Sequence, residues 1–369
     1  MTELAGDRAF MAHALRLARR GLYSTRPNPR VGCVLVKDGQ VIAEGFHYRA
    51  GDAHAEACAL TAAGPAAAGA TAYVTLEPCS HHGRTPPCAD ALVAAGVARV
   101  VYAVGDPNPR VDGSGAARLA AAGIPCVGGV LADEASELNR GFFSRHRRGR
   151  PFVVVKLGMS LDGKVALANG ESRWITGADA RADVQRLRAR SDAVMTGSGT
   201  VLADDPSLDV RDPRFDLGGQ PPMRVVLDSG LRTPPTARLL DPPGRVTVFT
   251  VARTDDPSAV ALAARGAHVE TVGGGVSGVD LRQVLHRLAT WEIGEVLVEA
   301  GPTLVAAFLA AELVDELVLY VAPVLLGPTA RHAFAWPTPA RLANAPRLRQ
   351  VASVAVGADR RLTYRLDAG

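Results

Sequence analysis

Two stretches decide how this chain reads, HAEACAL (54–60) and TLEPCSHHGRTPPCADALVAAGVARVV (75–101). His54, Cys79 and Cys88 offer one imidazole and two thiolates. This donor set suits zinc and leaves a fourth tetrahedral position open, as in a catalytic rather than a structural site. A helix beginning at about Ala53 puts the imidazole on its first turn and sets Glu56 beside the open position. Pro78-Cys79 reads as the mouth of a second helix or turn, where unpaired backbone N–H groups favour a thiolate. A metal there lowers the pKa of a coordinated water toward about 7, and a carboxylate alongside takes that proton and returns it to a leaving amine. The residues therefore predict hydrolytic deamination, with Glu56 as general base and acid. Cys33, Cys58 and Cys126 lie in or beside apolar stretches and are expected to be small core side chains.

Outward from this segment, apolar strand-like runs alternate with Ala-rich helical stretches. VGCVLVKDGQVIAEG (31–45) carries an Asp38-Gly39 turn signal between two such runs. TAYVTL (71–76), RVVYAV (99–104), PFVVVKL (151–157), SDAVMTG (191–197), RVVLDS (224–229), RVTVFT (245–250) and EVLVEA (295–300) continue the pattern. Several are continuous Val-rich runs bounded by Gly or Asp, as expected of strands covered on both faces. Both halves thus read as three-layer α/β/α sandwiches. NRGFFSRHRRGRPF (139–152) concentrates Arg and His and reads as a solvated linker. The division falls at residues 1–149 and 150–369.

The H-x-E spacing followed by Pro-Cys resembles the zinc nucleobase deaminases, although eight residues separate Cys79 from Cys88 here. Together with NPRVGCVLV (28–36), the segment is similar to the deaminase half of the RibD family of bifunctional riboflavin-biosynthesis enzymes, where a long insert is usual. That resemblance implies a cytidine-deaminase-like fold, one zinc per chain, and a pyrimidine and ribose-phosphate pocket lined by Asn28, His47, His81 and Arg84. Asn28 offers donor and acceptor to a pyrimidine edge, and Arg84 suits a phosphate. His82 reads as a solvent-facing loop residue.

The second half has no familiar metal or nucleophile spacing. KLGMSLDGKVALANGESRWITG (156–177) reads as a strand, a turn at Asp162-Gly163 and a loop holding an aromatic residue. AVMTGSGTVLADDPSLDVR (193–211) and VLVEAGPTLVAAFL (296–309) each read as strand, Gly-containing turn and helix, a geometry that presents amides to a phosphate. Neither is a G-x-G-x-x-G fingerprint, and the Gly triplet at 273–275 reads as a flexible turn. KLGMSLDGK, SRWITG, TGSGTVLADDP and VEAGPTL resemble the reductase half of the same family, which implies a dihydrofolate-reductase-like fold and NADPH. Carried over by position, the NADP contacts are Gly158, Trp174, Thr200, Asp204, Ser229, Gly301, Pro302, Thr303, Leu304, Val305, Ala306 and Ala307. The substrate contacts are Ser172, Arg188, Leu208, Arg211 and Glu299. Two arginines suit a substrate that keeps a 5′-phosphate. Trp174 as a buried core side chain and Glu299 as a strand-end surface carboxylate are the alternatives. The resemblance implies that a hydride passes to the substrate's C1′ carbon, so these residues are read as binders.

Over 369 residues, 41 basic side chains face 37 acidic ones, and Lys occurs only at 37, 156 and 164. That balance predicts no polyanionic partner. All five cysteines fall within the first 126 residues, an odd and one-sided set that fits a reducing, cytoplasmic setting. The first twenty residues read as an amphipathic helix rather than a signal peptide. The uncharged stretch from Ala57 to Leu76 is broken by Gly64-Pro65 and Gly69, so no membrane span is expected. The resemblance implies deamination of 2,5-diamino-6-(5-phosphoribosylamino)pyrimidin-4-one, then NADPH-dependent reduction of the ribosyl group of the product, by a homodimer formed through the reductase half. The alternatives are a nucleic-acid base deaminase with an unrelated appended domain, which needs aromatic platforms and a basic stripe the first half lacks, and a zinc-stabilised binding module without turnover.

Overall fold

The computed structural model describes residues 3–80, 87–109, 111–275 and 278–366. His81, His82 and Arg84 therefore lie outside the described residues. The chain forms two compact units, Met1–Gly149 with Asp216–Gln220, and Arg150–Phe215 with Pro221–Gly369.

In the first unit the described elements run α1 (Glu3–Ala18), β1 (Gly32–Lys37), β2 (Gln40–Phe46), α2 (Ala55–Ala63), β3 (Thr71–Val74), α3 (Cys88–Ala94), β4 (Arg99–Tyr102), α4 (Ser114–Ala121), β5 (Cys126–Gly128), α5 (Ala132–Leu138) and α6 (Arg140–Arg148). The sheet order is β2-β1-β3-β4-β5, with β1 antiparallel to both neighbours and β3, β4 and β5 parallel. Asp38 and Gly39, both at positive φ, turn β1 back into β2. Alternate side chains of β1 serve the two faces. Cys33 and Leu35 pack with Ala55, Ala59, Leu92 and Leu119 beneath α2, α3 and α4. Val34 and Val36 pack with Met11, Ala14 and Leu138 beneath α1 and α5. A Cβ on Gly45 would lie 2.2 Å from the Ala55 carbonyl oxygen. Only glycine lets β2 come this close to the first turn of α2. Tyr48 Oη donates to Asp216 at 2.6 Å, within the segment that joins this unit from later in the chain.

The reading of 139–152 as a solvated linker is corrected. Nine of those residues form α6, and Phe142 and Phe143 bury themselves with Leu76. Burial of two aromatic rings outweighs the basic composition around them.

The second unit contains β6 (Phe152–Ser160), β7 (Lys164–Ala166), α7 (Ala178–Arg190), β8 (Ala193–Gly197), α8 (Ser198–Asp204), β9 (Met223–Leu227), β10 (Val246–Thr250), α9 (Pro257–Ala264), β11 (His268–Thr271), β12 (Gly274–Gly275), β13 (Gly278–Val279), α10 (Leu281–Thr290), β14 (Glu295–Glu299), α11 (Pro302–Ala310), β15 (Glu316–Ala322), β16 (Arg331–His332), β17 (Leu348–Val356) and β18 (Asp359–Leu366). Its large sheet runs β11-β10-β9-β8-β14-β6-β15-β18-β17. Strands from β11 to β15 are parallel, and β18 and β17 close one edge antiparallel. The Val-rich run of β6 is buried on both faces. Val153, Val155 and Leu157 pack toward α10 and α11, while Phe152 and Val154 pack toward α7. The parallel strands end together, and in open α/β sheets ligands bind outside those carboxyl ends.

Candidate active sites

In the first unit, His54 is the N-cap of α2, with φ −70° and ψ 162°. The helix starts two residues later than the sequence suggested, at Ala55. His54 Nδ1 lies 3.2 Å from Cys88 Sγ and 3.6 Å from Cys79 Sγ, and the three ligand atoms all lie within 4.8 Å of one another. Zn–N of about 2.0–2.1 Å and Zn–S of about 2.3 Å at a tetrahedral angle separate N from S by about 3.5 Å. The donor set and its spacing fit zinc.

Hydrogen bonds converge on the Cys79 sulfur. Cys88 sits at the start of α3, and its backbone N–H donates to Cys79 Sγ at 3.3 Å. The Cys88 thiol and His54 add hydrogen bonds that outweigh burial and lower the pKa of Cys79, while the same Cys79–Cys88 bond, with burial, raises that of Cys88. Glu56, 4% exposed on the first turn of α2, is pushed up to about 7, first by burial and then by the charge of Cys79. A divalent cation held by the three ligands would work the other way and favour the carboxylate a general base needs.

Asn28 and His47 meet beside this cluster. Asn28 Nδ2 lies 3.0 Å from His47 Nε2, and His47 Nδ1 lies 3.0 Å from the Ala53 carbonyl oxygen. Since a carbonyl only accepts, the Nδ1 nitrogen carries the proton and Nε2 accepts from the Asn28 amide. Burial lowers the pKa of His47, which fits a neutral ring in this role.

In the second unit, β8 and β14 are neighbours, so the turns that follow them lie side by side. Gly197 is the N-cap of α8 and Gly301 the N-cap of α11, and no side chain caps either helix. Apart from Pro302, which has none, their first-turn N–H groups meet no capping side chain, an arrangement that suits a phosphate. Leu304 Cδ2 lies 3.3 Å from where a Cβ on Gly197 would stand, joining the two turns. Trp174 is 68% exposed, with Arg181 Cζ 4.4 Å from its ring centroid. This excludes the buried-core alternative. Arg173 donates to the Asp204 carbonyl and ties the Trp174 loop to the end of α8.

Glu299, at the end of β14, is enclosed. Arg188 Nε and Nη2 donate to its two oxygens at 2.6 and 3.1 Å, and Lys156 Nζ stands 3.8 Å away. Burial raises its pKa, but Arg188 and then Lys156 outweigh burial and the net shift is downward. The alternative of a strand-end surface carboxylate is therefore excluded.

Residues 5–104 match the family model for the cytidine and deoxycytidylate deaminase zinc-binding region, and residues 151–361 match that for the RibD C-terminal domain. The riboflavin biosynthesis protein RibD of Escherichia coli (strain K12) is 50% identical over 355 residues, covering 93% of this chain and 95% of that protein. The chain belongs to the RibD family. Acinetobacter baumannii RibD is 46% identical and superimposes with a TM-score of 0.92, over 99% of this chain and 100% of that one. A diaminohydroxyphosphoribosylaminopyrimidine deaminase/5-amino-6-(5-phosphoribosylamino)uracil reductase from Thermotoga maritima is 34% identical with a TM-score of 0.86, over 98% and 99% of the two chains. This RibD-family chain is thus a bifunctional deaminase and reductase of riboflavin biosynthesis, with a cytidine-deaminase-like first part and a dihydrofolate-reductase-like second part. A nucleic-acid deaminase with an unrelated appended domain is not favoured, because the second part matches this family too. The deaminase family supports zinc, and the reductase family implies a nicotinamide cofactor.

Several residues expected at the RibD-family sites are placed in ways composition did not foretell. Val305 is a fully buried core side chain, and Leu208 is 2% exposed at φ 55°, so what either offers a ligand comes from its backbone. Arg188 already spends one edge of its guanidinium on Glu299, whereas Arg211 is 59% exposed. Gly158 lies on β6, Thr200 on α8, Ser229 just beyond β9 and Ser172 in the loop before Trp174. Of the cysteines expected in the core, Cys33 is buried but Cys58 and Cys126 are only half-buried. Lys156 was absent from the expected contacts, although it is one of only three lysines in the chain.

Proposed function

We propose that residues 1–149 form a zinc-dependent deaminase acting on 2,5-diamino-6-(5-phosphoribosylamino)pyrimidin-4-one, and that residues 150–369 reduce the ribosyl group of its product with NADPH. The final product is 5-amino-6-(5-phosphoribitylamino)uracil. The observation that carries this reading is the convergence of His54, Cys79 and Cys88 beside a buried Glu56, in a chain that also encloses Glu299 between Arg188 and Lys156 at the strand ends.

Zinc, when bound by His54, Cys79 and Cys88, supplies Lewis acidity that brings the ionisation of water toward about pH 7. Glu56 takes a proton from the attacking water and hands one to the departing nitrogen, so that water enters and ammonia leaves. Asn28 turns its carboxamide to the pyrimidine with the orientation set by His47, and His81 and Arg84 serve the same substrate. NADPH, when bound, supplies a hydride for the ribosyl C1′ carbon. The uncapped starts of α8 and α11, with Gly158, Trp174, Thr200, Asp204 and Ser229, hold the cofactor. Arg211 takes the substrate phosphate, with Ser172 and Leu208 beside it, while Arg188 keeps Glu299 ionised and aimed. Five free cysteines support a reducing, cytoplasmic setting. No helix among the described residues is long and apolar enough to cross a membrane. The partners we propose are these small molecules and a second copy of the chain through the reductase part, not nucleic acid.

The deciding experiment supplies the diaminopyrimidine phosphate as sole substrate and follows zinc content, ammonia and NADPH oxidation together. Ammonia release followed by NADPH oxidation is the expected result. NADPH oxidation without ammonia, or neither in zinc-replete protein, would overturn it.

A further inference from the structure

Glu77 stands two residues before Cys79 and is 3% exposed. Its carboxylate accepts four backbone N–H groups. Those of Asp106 and Gly113 reach Oε2 at 3.3 and 3.1 Å, and those of Gly115 and Ala116 reach Oε1 at 3.0 and 3.1 Å. The N-cap of α4 is Gly113, which has no side chain to offer. Glu77 supplies that cap from a distant part of the chain, where unpaired N–H groups and the helix dipole both favour an anion.

Two further contacts flank this anchor. The Pro78 carbonyl oxygen lies 1.8 Å from where a Cβ on Gly115 would stand, so only glycine fits beneath it. Ser80 Oγ lies 2.6 Å from Ser114 Oγ. Behind them, the Glu77 backbone N–H donates to the Val104 carbonyl at 2.9 Å. Residues 77–80 therefore sit as one piece on the first turn of α4, with the Cys79 sulfur in their middle and 3.6 Å from His54 Nδ1.

We propose that Glu77 is a positioning residue for the metal: by clamping residues 77–80 onto α4 it fixes Cys79 Sγ where His54 and Cys88 require it. The inference rests on reading His54, Cys79 and Cys88 as a zinc site. A carboxylate that only capped α4 would contribute stability and leave metal release unchanged. A clamp on the ligand segment slows release, and outer-shell partners of metal ligands are typically worth about 10–100-fold in metal affinity.

The test measures the rate at which zinc passes from the full-length holoenzyme to a chromogenic chelator, in wild type, Glu77→Gln, Glu77→Ala and Gly115→Ala. Asp7→Asn, which destabilises the same unit through a contact in the α1 layer, serves as the comparator for stability alone. Release about 10–100-fold faster in the Glu77 variants than in Asp7→Asn is expected, with altered thiolate-to-metal bands after cobalt substitution. Gly115→Ala keeps the carboxylate and displaces Pro78, so it should release zinc faster too, and it decides the matter if the Glu77 variants do not fold. Release at the rate of Asp7→Asn, with wild-type cobalt bands, would overturn the inference. Wild-type protein that takes up no zinc would sink the ligand reading and this inference together.

Discussion

Arg188 meets Glu299 edge-on, Nε to Oε1 at 2.6 Å and Nη2 to Oε2 at 3.1 Å, and both side chains are about one-tenth exposed. An ion pair this enclosed costs more to break than it gained in forming, because the surviving charge stays buried. Arg188→Met leaves Glu299 with Lys156 and the charge of Arg211. Its expected effect is a loss of about 3 kcal/mol in the second unit, read from thermal unfolding, together with loss of NADPH oxidation on the pre-deaminated substrate. Ammonia release should survive, and unchanged NADPH oxidation would count against a role for the pair.

Glu56→Gln keeps the size of the side chain and removes its ability to carry a proton. Zinc should stay near one per chain while ammonia release falls by 10²-fold or more, in line with about 10²–10⁴-fold for general acid–base catalysis. Reduction of pre-deaminated substrate should not change. Loss of both activities would speak against two independent sites.

Metal removal separates the same two activities without mutation. A chelator strong enough to strip the His54, Cys79 and Cys88 cluster should abolish ammonia release and leave NADPH oxidation intact, with zinc restoring the first. Cys88→Ser should reproduce the loss permanently. Ammonia release surviving in metal-free protein, measured alongside zinc content, would remove zinc from the reaction.

Asp7 joins α1 to the sheet through Arg99 at 2.9 and 2.8 Å and through the Tyr73 hydroxyl at 2.8 Å. The Arg99 hydrogen bonds, helped by Tyr73, hold its pKa below the usual carboxylate value despite the opposing effect of burial. A lowered folded-state pKa gives stability that is present above the unfolded value of about 3.9 and lost as pH falls through the folded one. Asp7→Asn should therefore cost about 2–3 kcal/mol near neutrality. The gap to wild type should shrink below about pH 4, as thermal melts against pH will show. A gap that stays constant down to strong acid would contradict this account.

Trp174 is exposed and tethered through Arg173 to Asp204. Trp174→Ala should raise KM for NADPH with little change in melting temperature, since no core packing is lost. A large fall in melting temperature would indicate a structural ring instead.

Local chemistry made the deaminase cluster legible. His54, Glu56, Cys79 and Cys88 are rare residue types at telling intervals, and the Val runs announced strands buried on both faces. What stayed hidden depends on partners far along the chain. The basic residues around Phe142 and Phe143 masked a helix, because composition does not reveal that both rings meet Leu76. For Glu299 the residues alone left a surface carboxylate open beside the substrate contact that the resemblance implied, and only Arg188, more than a hundred residues earlier in sequence, encloses it. Glu77 drew no reading of its own, since the backbone N–H groups it accepts leave no trace in a sequence.

The return of Asp216–Gln220 to the first unit has a practical side. A gene cut after codon 149 yields a deaminase fragment missing a strip of its own surface, in which Tyr48 loses the carboxylate that accepts its hydroxyl proton. The complementary fragment inherits that strip with nothing of its own unit to rest on. Dissecting the two activities is therefore better done by point substitution within the intact polypeptide than by expressing the halves apart.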